Sequence, residues 1–112
     1  MQLRVEEMGN FQVCSIIGAI NAANSDSFQD TFLKTMEKCT KDLIVNLRDL
    51  DFIDSKGIST FIIGKKMLAK KGLSFFIASP PGPVKKVLDI TFLDKVIPIY
   101  DDIKLVPGVA DS

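Results

Sequence analysis

The stretch that decides the fold reads Asp54-Ser55-Lys56-Gly57-Ile58. It follows an apolar, β-branched run over residues 43–47 and a polar link over residues 48–51, and this order predicts a buried strand that leads into a helix. Over residues 56–70 the apolar residues recur at about 100° per residue, the period of an amphipathic helix. The sequence therefore places a serine hydroxyl at the junction between a strand and a helix.

Ser55 has two interpretations at this junction. A Ser or Asp side chain at a helix start commonly accepts hydrogen bonds from the free backbone N–H groups of the first turn, which would make Ser55 a cap. The same N–H groups and the positive end of the helix dipole also favour a phosphate on that hydroxyl. Gly57 would let the backbone of a partner approach closely.

The remaining chain alternates between predicted strands and helices. Strands are predicted over residues 2–7, 11–17, 43–47, 73–78 and 96–100, and helices over about 25–39, 56–70 and 84–89. This alternation predicts an α/β fold with a mixed sheet of four to five strands. The whole chain, residues 1–112, is expected to form one domain, with a core over about 2–100 and a mobile tail over 107–112.

Composition excludes several classes of function. The 14 Lys and Arg balance the 14 Asp and Glu, so no basic field is available for direct nucleic-acid binding. No apolar run approaches the ~20 residues that span a bilayer, and residues 1–6 carry no signal-peptide pattern. We therefore expect a cytoplasmic protein that does not insert into membranes.

The sequence contains no pattern of residues that indicates catalysis or metal binding. The chain contains no histidine, and its two cysteines, Cys14 and Cys39, are distant in sequence. Two cysteines without histidine do not make a familiar zinc site, and residues 57–66 lack the spacing of a phosphate-binding loop. We expect no enzyme activity, no catalytic residue, no metal and no cofactor, with both cysteines as reduced thiols.

A site can still be assembled at one edge of the predicted sheet. The loop over residues 18–25 and the turn at Ser55 each follow a strand, and loops at the carboxyl ends of neighbouring parallel strands meet at one rim. The outward side of the predicted helix over residues 56–70 adds Ile63 and Met67. Their exposure is either incidental or marks a small apolar contact surface among lysines. The predicted partner surface consists of Asn21, Asn24, Asp54, Ser55, Lys56, Gly57, Ser59, Thr60, Ile63 and Met67.

Three segments in register resemble the anti-sigma factor antagonists, the small single-domain members of the STAS group. Gly18-Ala19-Ile20-Asn21 stands where that family has Gly-Glu-Leu/Ile-Asp, and residues 54–58 match its Asp-Ser-Ser/Thr-Gly-Leu/Ile/Val motif. Residues 79–96 are similar to its later Ser-Pro-x-Val-Lys-x-Leu run. The resemblance covers roughly residues 11–99 and implies a STAS-like sheet with helices mainly on one face.

The resemblance also implies a mechanism. The unmodified protein would bind an anti-sigma factor that is also a serine kinase, and would thereby free a sigma factor. Phosphorylation of Ser55 would end that binding, a serine phosphatase would reset it, and the free protein would be a monomer. This chain departs from the family at Lys56, where a hydroxyl residue is usual, and at Ala19 and Asn21, where acidic residues are usual.

A second function stays open beside the first. STAS domains also act as non-switching interaction modules, for example as subunits or scaffolds in transport machinery. In that case Ser55 would serve only as a helix cap. The two functions differ in whether Ser55 is modified and in whether an acidic residue at that position abolishes partner binding.

Overall fold

A computed structural model of the chain describes residues 1–110. The strands are β1 (Gln2–Met8), β2 (Phe11–Ile20), β3 (Asp42–Asn46), β4 (Leu50–Ile53), β5 (Phe75–Ala78) and β6 (Ile99–Tyr100). The α-helices are α1 (Ser25–Lys38), α2 (Ser55–Lys70) and α3 (Gly82–Ile90), and Leu93–Lys95 and Ile103–Leu105 form short 3-10 helices. No helix in this described part of the chain is long and apolar enough to cross a membrane.

The strands form a mixed sheet in the order β1-β2-β3-β5-β6, with β4 paired to β2 beyond the end of β3. Only the β1–β2 pair is antiparallel, while the other pairs are parallel. The prediction of a mixed α/β fold is confirmed. The sheet has a sixth strand because Leu50–Ile53 pairs with the end of β2, although the sequence analysis assigned part of this segment to a polar link. For the same reason β2 runs on to Ile20, three residues further than predicted.

All three helices pack on one face of the sheet, as the family resemblance implied. They contribute apolar side chains to a single core, in which the rings of Phe28, Phe32 and Phe61 lie against one another. Gly64 of α2 faces α1 so closely that a Cβ atom there would lie 2.9 Å from Cε2 of Phe32. This close contact holds α1 and α2 side by side.

The opposite face of the sheet is covered at one end by the C-terminal segment. Val106 is buried there against Phe11 and Ile44, and Val109 packs beside them. Residues 107–110, part of the predicted mobile tail, form turns, whereas residues 111–112 lie outside the described residues. Mobility of the tail stays a prediction.

Both cysteines are buried free thiols. Cys14 lies on β2 within the helix-side core. Burial, together with the smaller effect of the nearby Cys39, raises the pKa of its thiol to about 12. A thiol that resists ionisation in this way is a packing group rather than a nucleophile.

Candidate partner-binding site

The site lies where β2 and β4 end side by side. Ile20 and Ile53 are register partners in this parallel pair, and the backbone N–H of Asp54 donates to the carbonyl of Ile20 at 3.0 Å. This contact brings the loop after β2 next to the start of α2. The convergence of the two carboxyl-end loops at one rim, expected from the sequence, is thus seen in the structure.

Asp54, and not Ser55, caps α2. The Asp54 backbone is extended, and its carboxylate oxygen Oδ1 accepts a hydrogen bond from the N–H of Gly57 at 2.9 Å. Ser55 is the first residue of the helix; it is exposed, and its hydroxyl makes no hydrogen bond to any residue in 1–110. The interpretation of Ser55 as a cap is therefore wrong, because its neighbour already fills that role.

Asn21 and Asn24 shape the loop between β2 and α1. The Asn24 side chain accepts from the N–H of Asn21 at 3.0 Å and donates to the carbonyl of Ala19 at 2.9 Å. Asn21 Oδ1 accepts from the N–H of Ala23 at 3.0 Å. Both amides therefore hold the loop in shape, and the loop begins after Ile20 rather than at Gly18.

Lys56 forms an ion pair with Asp26 in the first turn of α1. Its ammonium donates to Oδ1 of Asp26, so the residue after Ser55 ties α2 to α1. The Lys56 and Asp26 side chains are 42% and 87% exposed. An ion pair this open to water contributes at most about 1 kcal/mol to stability, and it pairs the positive charge that follows Ser55 in sequence with a carboxylate.

Two residues of the predicted partner surface are buried and cannot meet a partner. A Cβ atom on Gly57 would lie 2.7 Å from Cγ1 of Ile53, so this glycine serves the packing of α2 on β4 and not the approach of a partner. Thr60 is 0% exposed, and its hydroxyl donates to the carbonyl of Lys56 at 2.8 Å. These two predictions are wrong because helical rotation brings both positions onto the sheet side of α2.

The outward stripe of α2 consists of residues four apart. Ser55, Ser59 and Ile63 follow one another on the exposed side, and Ile63 is 38% exposed. Ser59 donates its hydroxyl to the carbonyl of Ser55 at 3.0 Å. Met67, one turn further, is half-buried and packs against the core, so only part of it is available.

Phe52 is an exposed apolar residue that the sequence interpretation placed in a buried strand. It is 51% exposed and lies on β4 two residues before Asp54. Ile53 points into the helix-side core, so its neighbour must point to the opposite face, which the C-terminal segment covers only at the other end. Strict strand alternation would place Phe52 on the same side as the buried Leu50, and the register shift in the pairing of β4 with β2 separates the two, so the sequence pattern alone does not identify this exposure.

The site has no metal-binding character. Across residues 1–110 no group of three His, Cys, Asp or Glu side chains is placed to hold a metal ion. What the rim offers is a mixed polar and apolar surface around one unpaired hydroxyl. We define the Ser55 surface as Asn21, Asn24, Asp54, Ser55, Lys56, Ser59, Ile63 and Met67.

Comparisons with known proteins agree on one family. A sequence model described as the STAS domain matches residues 2–105. An anti-sigma F factor antagonist from Paenibacillus polymyxa is 24% identical over 104 residues, which cover 91% of this chain and 88% of that protein. A candidate anti-sigma factor antagonist from Thermotoga neapolitana is 31% identical over 85 residues, 75% of each chain.

A solved structure shows the same fold. The anti-sigma factor antagonist SpoIIAA in its unphosphorylated form superimposes with a TM-score of 0.77 at 15% identity, covering 99% of this chain and 98% of that one. The six-stranded mixed sheet with helices on one face is therefore the arrangement of a known group of proteins.

Proposed function

The chain belongs to the STAS-domain family, and from that premise we propose that it is an anti-sigma factor antagonist. Relatives that share 24–31% of its residues carry that name. The observation that supports the proposal best is the Ser55 hydroxyl, which is exposed at the start of α2 and left without a partner by the Asp54 cap. The protein acts through binding and not through catalysis of its own.

In this proposal the Ser55 surface binds an anti-sigma factor that is also a serine kinase, and the sigma factor is released. Ile63 and the exposed part of Met67 supply apolar contact, while the Asn21–Asn24 loop and Lys56 supply polar contact. Apolar groups surrounded by polar ones are typical of protein interfaces. Both proteins meet in the cytoplasm.

Phosphorylation of Ser55 reverses the binding. A phosphate adds roughly 1.5 to 2 negative charges next to the Asp54 carboxylate. Lys56 is already paired with Asp26, so the local positive charge is partly committed before the phosphate arrives. The helix start tolerates the phosphate, but a partner pressed against it does not, and a serine phosphatase restores the binding form.

The test uses purified anti-sigma factor kinases encoded in the source genome, each mixed with this protein and ATP. We expect one of them to phosphorylate the wild type and not Ser55→Ala, as read by intact mass. Ser55→Asp should weaken binding to that kinase by at least about tenfold. An acidic residue is favourable in the first turn of a helix, so this loss will not come from unfolding.

Ser59→Asp is the matched control, because it adds the same charge one turn further along the exposed stripe. We expect it to weaken binding less than Ser55→Asp. If no kinase modifies Ser55 and Ser55→Asp binds the partner as well as the wild type, the switch is wrong and a non-switching interaction module is the correct description.

A further inference from the structure

A second concave site lies at the same edge of the sheet, away from Ser55. It is a cavity of about 470 Å³ at the carboxyl ends of the parallel strands β3, β5 and β6. Its volume falls within the range of about 300–1,000 Å³ that small-molecule sites occupy. Ligands of open α/β sheets bind at this edge, where the loops after the strands leave a crevice. The polar residues that line it are Asn46, Arg48, Ser79, Asp101, Asp102 and Lys104.

The lining of this cavity carries equal numbers of positive and negative charges, Arg48 and Lys104 against Asp101 and Asp102. Each carboxylate has a partner: Asp101 accepts from the ammonium of Lys85 at 2.7 Å, and Asp102 accepts from the backbone N–H of Lys104 at 2.9 Å. The side chains of Arg48 and Lys104 form no ion pair with any described residue. With the charge of Lys85 counted, the cluster has a net charge of +1, and its two cations without an ion pair both line the cavity.

Ser79 adds an unusual backbone and an unpaired hydroxyl. It follows β5 with φ 59°, in the left-handed region that side chains other than glycine rarely adopt. Its N–H donates to the carbonyl of Tyr100 at 2.8 Å, which holds the residue in that conformation at the mouth of the cavity. Its hydroxyl has no hydrogen-bond partner within residues 1–110. Strained residues of this kind cluster at ligand sites.

Asn46 is held in a fixed orientation beside these groups. Its Nδ2 donates to the hydroxyl of Ser15 at 3.3 Å, and its Oδ1 accepts from the N–H of Arg48 at 3.2 Å. The second hydrogen of Nδ2 remains available as a donor. The lining of the cavity thus includes a guanidinium, an ammonium, a hydroxyl and an amide, each of which can donate a hydrogen bond.

We propose that this cavity binds a small organic anion through a phosphate or carboxylate group. Arg48 pairs with the anionic oxygens, Lys104 adds the second positive charge, and Ser79 and Asn46 donate hydrogen bonds to the rest of the molecule. The inference is independent of the switch at Ser55, since it uses none of the residues of the Ser55 surface.

The test is an NMR titration of the isotopically labelled full chain with pyrophosphate and, separately, with citrate. Ionic strength is held constant with sodium chloride, so that general screening does not change. We expect saturable shifts of the amide signals of Asn46, Ser79 and Asp102, with a Kd of about 10 mM or tighter. Shifts with pyrophosphate alone assign a phosphate ligand, and shifts with citrate alone assign a carboxylate ligand.

Two variants with equal charge separate this site from general electrostatics. Arg48→Gln removes the proposed anion partner and should weaken binding by about tenfold, while Lys86→Gln removes an exposed charge of α3 outside the cavity and should change it by less than about twofold. Ser79→Gly keeps the backbone conformation and removes the hydroxyl, so it should weaken binding severalfold. The absence of saturable shifts with either probe, or an equal loss in Arg48→Gln and Lys86→Gln, would overturn the proposal.

Discussion

Asp54 and Ser55 are neighbours with separate physical roles. The Asp54 carboxylate satisfies the N–H of Gly57, one of the free donors of the first helical turn, and this leaves the Ser55 hydroxyl exposed to solvent. A residue that holds the helix end and a residue that is free for modification are thus placed side by side. This separation lets the Ser55 side chain change without loss of the fold.

Asp54→Ala should lower the free energy of unfolding by about 1 kcal/mol, because the cap is lost. Ser55→Ala should change it by less than about 0.5 kcal/mol, because an exposed hydroxyl without a partner is removed. Urea denaturation of the two variants and the wild type measures both values. An equal cost at the two positions would show that Ser55 contributes to the cap after all.

Ser79→Gly should raise the free energy of unfolding by up to about 1 kcal/mol, because glycine adopts a positive φ without the steric cost that serine carries. Ser59→Gly is the control; it places glycine inside α2 and should lower stability by about 0.5–1 kcal/mol. Thermal unfolding of both variants gives the comparison. A variant that is more stable but binds anions less well would show that Ser79 carries strain and that its hydroxyl contributes to binding, whereas a loss of stability in Ser79→Gly would show that φ 59° carries no strain.

At the scale of the elements, apolar periodicity predicted α2 well and β4 poorly. The helix begins at Ser55, only one residue before the predicted start. The prediction is this close because the apolar period is sustained over four turns. The strand β4 has only four residues, and its middle two, Asp51 and Phe52, are exposed, so no run of apolar residues marks it. Its pairing with the end of β2 is a long-range contact that local sequence does not encode.

The predicted partner surface was wrong at two positions for the same reason, because the local sequence pattern does not show which residues of a helix are buried. The side of α2 that carries Ser55, Ser59 and Ile63 follows from helical spacing alone. Gly57 and Thr60 were placed outward because they are small or polar, yet they are buried where α2 crosses the sheet. Which side of a helix start is covered depends on the strand beneath it, and that strand was β4.

The α1–α2 contact makes a prediction that runs against helix propensity. Gly64→Ala would normally stabilise a helix, but here the new Cβ atom would lie 2.9 Å from Cε2 of Phe32 and 3.3 Å from Cγ of Met36. We expect a loss of about 1–3 kcal/mol from overpacking. Ser59→Ala, on the exposed side of α2, should be neutral or slightly stabilising. Urea denaturation of both variants and the wild type measures these changes in the free energy of unfolding. A Gly64→Ala variant more stable than the wild type would show that the two helices can move apart freely.

At the scale of the whole molecule, the faces of the sheet contribute to stability and its carboxyl edge carries the binding sites. Helices cover one face and the C-terminal segment covers part of the other, so the apolar core is closed on the helix side and at one end of the opposite side. The carboxyl edge is left for loops, and it carries both the Ser55 surface and the cavity at Ser79. Each site rests on parallel strands whose positions are fixed by the core, so a ligand or partner meets a preformed surface.

The core also determines how the whole molecule responds to alkaline pH. The pKa of the Cys14 thiol is raised from 9.0 to about 12 in the folded protein, mainly by burial. Between these values the unfolded chain releases a proton that the folded protein keeps, so the free energy of unfolding falls as pH rises. The effect is at most about 1.4 kcal/mol for each pH unit and is absent below pH 9, where the thiol is protonated in both states. Cys14→Ala isolates the contribution of this thiol because it leaves every other titratable side chain in place. Urea denaturation from pH 8 to pH 11 should give a shallower decline for Cys14→Ala than for the wild type, since the variant has no thiol to ionise on unfolding. Equal slopes would mean that Cys14 ionises as readily in the folded protein as in the unfolded chain, and that the β2 side of the core admits water.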